Sequence, residues 1–173
     1  MMLWALIING IVFEITTTNP AGRFPPEMEW VECASDIVPG YTYNGTTFAA
    51  PVAPVPTPAE LAAAAYAAAI AAGVTITSAG NSALDGTYAI TESSKGTITA
   101  EQVYIATTTK FTNGQTSRAW PDINGAYHTF PTTAEFTAFA EATAFYVDSL
   151  NAALAVGQAG GAWVAPPMPP AIP

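Results

Sequence analysis

The only histidine, His128, is the natural starting point for chemistry in this sequence. Asp122 lies across an Asn124-Gly125 turn from it, so a hairpin here brings a carboxylate towards an imidazole. A carboxylate that orients an imidazole is half of a general-base or nucleophilic centre. The other half is a serine or cysteine in a recognisable setting, and the neighbouring sequence supplies none. A hydrogen bond within the hairpin is the plainer role for the pair. Glu27, Glu29 and Glu32 are candidates for the paired carboxylates of glycoside hydrolysis. On an alternating strand, however, Glu27 and Glu29 share one face and Glu32 takes the other, the pattern of a solvated strand. Cys33 is the single cysteine, so it has no intrachain disulfide partner, and no cluster of Cys and His surrounds it to hold a metal. It reads as a small apolar strand residue. Phosphate-cradling glycine patterns do not occur, and Asp85-Gly86 lacks the alternating acidic ligands of a calcium loop. The expectation is a protein without catalytic residues, cofactor or metal.

Composition narrows the partners. The chain has 173 residues, with 4 Lys+Arg against 13 Asp+Glu and a formal net charge of −9. Four cations neutralise few phosphates, so nucleic-acid binding is not expected. The same sign opposes docking on anionic membranes. The opening run from Met1 to Ile8 is interrupted by Asn9-Gly10 and followed by Glu14. It is too short for a membrane span and lacks the basic start of a secretion signal, so neither insertion nor targeting is expected. Alanine inflates the 50% hydrophobic content, and bulky core-formers are modest in number. Small cores follow from this, rather than one thick three-layer core.

The elements that would position these residues are short. Leu3–Ile8 and Ile11–Thr17 form a hairpin on Asn9-Gly10, whose two residues suit the positive φ values of a type I′ turn. Glu29–Cys33 alternates as a strand, and Tyr41–Phe48 makes a second hairpin on Asn44-Gly45. Residues 1–50 are therefore expected to be a small antiparallel β module. Prolines at 51, 54, 56 and 58 hold residues 51–59 near polyproline II as a stiff linker. Residues 60–156 then read as an α+β domain. An alanine-rich helix stops at Gly73, with Tyr66 and Ile70 on one face. Gly73–Ser78 and Gly86–Ile90 alternate as strands, and Thr99-Ala-Glu-Gln102 has the spacing of a capping box opening a short helix. Trp120–Phe130 is a third hairpin, turned on Asn124-Gly125. A long helix begins at Thr132 with Glu135 three residues on, and Phe136, Phe139, Thr143, Tyr146, Leu150 and Ala153 form an aromatic seam along it.

Residues 157–173 form a Gly/Pro-rich arm with too few apolar residues to build a core of its own. Its extended frame suits docking in a groove at small entropic cost, so a partner is expected to order it, with Trp163 as anchor and Val164 and Met168 beside it. Trp30, Tyr41 and Tyr43 serve either as the apolar face of the β module or as a stacking platform for glycan.

Two stretches resemble a known group of proteins. Ile8–Val12, Asn19-Pro-Ala-Gly-Arg-Phe24, Trp30-Val-Glu32 and Pro39–Phe48 resemble a small module recurring in tailed-phage and prophage proteins encoded near tail-fibre genes. Ala83–Ile90, Trp120–Phe130 and the Phe-rich helix resemble a domain of unknown function found in phage tail proteins. The resemblance implies a structural part of the virion, at the tail fibre or baseplate. It would be made in the bacterial host cytoplasm and would contact other tail proteins and copies of itself. Two alternatives stay open: a tail-fibre assembly chaperone absent from the particle, and a receptor-binding module. The resemblance brings no catalytic residues.

Overall fold

In a computed structural model describing residues 2–173, the chain folds as two compact units, one ending at Val55 and one spanning Pro56–Pro173. The first is a five-stranded antiparallel sheet in the order β3-β1-β2-β4-β5. Strands β1 (Leu3–Ile8) and β2 (Ile11–Thr16) turn on Asn9 and Gly10, with φ of 52° and 74°. That left-handed pair twists in the sense of the flanking strands, which fixes Ile8 opposite Ile11. The same register sets Ile7 opposite Val12 in the core, and a bulge at Leu6/Ile7 then leaves Phe13 without a partner and turns Ile15 onto the face of Val12. Strand β3 (Glu29–Cys33) pairs with β1, setting Trp30 opposite Leu6 and Glu32 opposite Trp4. The short strands β4 (Thr42–Tyr43) and β5 (Phe48–Ala49) complete the sheet, with the Tyr43 and Phe48 rings 4.7 Å apart.

Both faces of this sheet carry apolar side chains. On one face Ala5, Ile7 and Val12 are buried with Ile37, and Ile15, Val31, Cys33, Tyr41, Tyr43 and Phe48 pack around them. The other carries Trp4, Leu6 and Trp30, and Phe24 from the 19–28 segment stacks on Trp30 at 4.8 Å.

The second unit holds the larger core. Helix α1 (Pro58–Ala72) starts inside the proline segment because Thr57 and Glu60 form a reciprocal capping box and Pro58 accepts the first helical position. It stops at Gly73 (φ 81°), where a Cβ would collide with the Tyr88 carbonyl. Strand β6 (Val74–Ile76) pairs antiparallel with β7 (Gly86–Tyr88), the two being joined through a 3-10 turn at Ser82–Leu84. Helix α2 runs Glu92–Thr108, and strands β8 (Arg118–Pro121) and β9 (Tyr127–Phe130) form a hairpin. Helix α3 (Thr133–Gln158) closes the unit.

The aromatic seam on α3 is the centre of that core. Phe136, Phe139, Thr143, Tyr146 and Leu150 are buried, with Ala140 beside them. Phe136 meets Phe111, Trp120 and Phe130 edge-on at 5.1 to 5.9 Å, and Phe139 stacks near Tyr88 at 4.8 Å. These offset arrangements suit the ring quadrupoles, adding about 0.5–1.5 kcal/mol per pair to the burial. Helices α1 and α3 cross closely at Ala62 and Gly157, and the Tyr66 hydroxyl donates to Asn151 Oδ1 at 3.0 Å.

Helix α2 differs from the sequence expectation. Thr99 and Gln102 lie in mid-helix, and the cap is Thr91, whose hydroxyl accepts the Ser94 N–H. Tertiary packing decides this: Ile98, Glu101 and Ile105 fall on one face and are buried, which recruits the Ser93-Ser94-Lys95-Gly96 turn despite its poor helix propensity.

Candidate functional site

Strands β8 and β9 do bring Asp122 and His128 together, in a setting that binds the hairpin to its neighbours. The connection spans Asp122–Ala126 rather than two residues, because Asp122 Oδ1 accepts the N–H groups of Asn124 and Ala126, each at 2.8 Å. Only Gly125 needs a positive φ there. The Asp122 side chain thus shapes the turn. Burial alone would raise its carboxyl pKa, but the Ala126 and Asn124 N–H groups outweigh that and hold it below the usual carboxylate range. His128 Nδ1 lies 2.8 Å from the Ala83 carbonyl, which only accepts, so Nδ1 carries the proton and donates. Nε2 is enclosed, 3.7 Å from Asp122 Oδ2 and beyond hydrogen-bond reach. A Cβ at Gly86 would stand 3.0 Å from that nitrogen, so the glycine makes room for the imidazole. The ring packs 5.4 Å from Tyr88, and burial foremost, then the charges of Asp122 and Asp85, pushes the Tyr88 phenol upward. The local chemistry ties β9 to the 3-10 turn.

Glu27, Glu29 and Glu32 are exposed, and the strand register puts Glu29 opposite Ile7 and Glu32 opposite Trp4, on different faces of the sheet. Cys33 packs against the first unit's core. Burial, then Asp36 and Glu32, raises its thiol pKa.

The C-terminal arm is ordered by its own unit, contrary to the expectation of a partner. Ile172 is 3% exposed within the aromatic core, its N–H donates to the Thr77 carbonyl at 2.8 Å, and its carbonyl accepts from the Ala79 N–H at 2.8 Å. This strand-like addition beyond β6 supplies the burial that the arm alone lacks. Trp163 packs against the same core, so its indole is already engaged, while Val164 and Met168 remain exposed. Local composition carries no trace of Ile172's destination, because the receiving groups lie far away in sequence.

Trp30, Tyr41 and Tyr43 do not form one platform. Tyr41 and Tyr43 belong to the buried face of the first sheet, and Trp30 projects from the other. There Trp30 lines a cleft of about 470 Å³ with Trp4, Phe24 and Met28, closed by Pro20, Pro25 and Pro26. The sequence signal for it was the pairing of Trp4 with an alternating Trp30 strand and a Phe-Pro-Pro run, legible only once the register was known. A second apolar feature lies at the end of the β1–β2 hairpin. Ile8, Ile11 and Phe13 are exposed there, Phe13 to 65%. No helix among the described residues is long and apolar enough to cross a membrane, and no group of three or more His, Cys, Asp or Glu among them is placed to hold a metal ion. Compared with known proteins, the chain matches no family model and no curated protein.

Proposed function

We propose that this protein is a structural component of a tailed-phage particle, associated with the tail fibre or baseplate and acting through protein–protein contacts. The reading rests first on the resemblance of its motifs to phage tail proteins. The structural observation that carries it is the exposed Ile8, Ile11 and Phe13 at the tip of the first unit's hairpin, apolar surface of the kind that protein partners cover. The outer edge of β2 adds to this. Its only ladder partner beyond β1, among the described residues, is Thr42 opposite Ile11, so the edge from Phe13 onward is open to an added strand. Other tail proteins and further copies of the chain are the partners this reading names.

Peptide mass analysis of purified particles tests the reading. A fixed ratio of this chain to another tail protein supports it. Absence from mature particles, combined with loss of fibre assembly when the gene is deleted, supports an assembly chaperone instead.

A further inference from the structure

We propose that the cleft between Trp4, Trp30 and the 19–28 segment receives a proline-containing extended segment of a partner protein, one that carries an arginine or lysine beside its prolines. The inference rests on the assembly reading above and names a partner chemistry for it. Two observations lead to it. The cleft, about 470 Å³, is lined by two indoles, a phenyl ring, a methionine and prolines, with Asn19 the only polar side chain. Such a surface suits polyproline II, which is already extended and loses little entropy on docking.

Charge then selects among such segments. The register places Glu32 opposite Trp4 and Glu14 opposite Leu6, on the same sheet face as Trp30. Arg23 is the only Lys or Arg in the first unit, against Glu14, Glu27, Glu29, Glu32 and Asp36. A cation at one end of the incoming segment therefore meets a predominantly acidic face, to which Arg23 in the 19–28 segment is the one exception. The chain's own proline-rich stretches, 51–58 and 165–170, contain no Lys or Arg, so they lack this feature. A sugar ring is the poorer fit, since the lining offers one amide for its hydroxyls.

The test uses the full chain and three synthetic peptides sharing one alanine-proline frame, ending in two arginines, in two glutamates or uncharged, together with a peptide of residues 51–58. Binding is read by tryptophan fluorescence and calorimetry. The arginine peptide is expected to bind roughly tenfold tighter than the glutamate peptide, with a preference that shrinks as salt rises. Glu32→Gln is expected to reduce that preference about threefold. Trp30→Ala removes one wall of the cleft and is expected to weaken all the peptides about tenfold. Amide spectra of each variant establish that the first unit stays folded. Failure of the arginine peptide to bind, equal binding of the glutamate peptide, tighter binding of the 51–58 peptide, or displacement of the arginine peptide by a glycan overturns the proposal. Presence of the chain in particles without arginine-peptide binding leaves the assembly reading standing and sinks only this one. The reverse result separates them the other way.

Discussion

Gly157→Ala is the most discriminating single change in the second unit, because two general rules give it opposite signs. Inside an α-helix, alanine is favoured over glycine by about 1 kcal/mol, so propensity alone makes the variant more stable. The crossing of α1 and α3 reverses this. A Cβ at 157 would fall well inside 3.0 Å of the Ala62 Cβ, and 3.6 Å from the Ala62 Cα. Carbon atoms in contact sit about 3.5–4.0 Å apart, and neither Cβ has a rotamer to yield. Ala62 is fully buried, so the helices must part. Overpacking of this kind costs typically 1–3 kcal/mol, and rigid partners put this case at about 3 kcal/mol. Net of propensity, the loss is about 2 kcal/mol, or a fall in Tm of about 5–10 °C for a unit of this size. Urea titration followed by near-ultraviolet circular dichroism measures it. The double variant Ala62→Gly with Gly157→Ala moves the methyl group to the other helix and is expected to recover most of the loss. A more stable Gly157→Ala single variant, or a double variant no better than it, refutes the close crossing.

Three further outcomes follow from particular contacts. Ile172→Ala is expected to destabilise the second unit by about 2–4 kcal/mol in the absence of any partner, since the side chain is 3% exposed; unchanged denaturant midpoints would show the arm undocked. Glu60 accepts the Thr57 N–H and hydroxyl, which lower its pKa. Its contribution is complete above the ordinary carboxylate range and is lost as pH falls through the lowered folded value, so Glu60→Gln is expected to flatten the acid limb of α1 stability by circular dichroism. Burial and the charges of Asp36 and Glu32 keep the Cys33 thiol protonated, so iodoacetamide should label it more slowly at neutral pH than a free thiol. Asp36→Asn should speed that labelling, as read by mass spectrometry over a pH series.

What the sequence made legible was local. Asn9-Gly10 specified a turn because both positions need positive φ, and Thr132 with the Phe136–Leu150 spacing specified a capped helix with one buried face. The α+β architecture followed from those elements. The failures came where distant groups decide. Thr99-Ala-Glu-Gln102 has capping-box chemistry, but burial of Ile98 and Glu101 extends the helix back to Glu92. The arm has a disordered composition, yet Thr77 and Ala79 hold Ile172. Among the candidate binding residues, the neighbourhood of Trp30 is not legible in the sequence, because alternation tells which residues share a face of one strand, whereas Trp4 and Phe24 arrive through register and loop path.

The docking of Ile172 also bears on the order in which the chain matures during translation. The first unit is complete in sequence by Val55, and all its strand pairings close within those residues, so it can acquire its sheet while the remainder is still being made. The second unit has no such freedom. The slot beside Thr77 stays vacant until residue 172 has cleared the ribosome, leaving greasy side chains around Ile76 wetted in the interim. Nascent chains halted shortly before that residue should therefore carry a finished head and a protease-sensitive body.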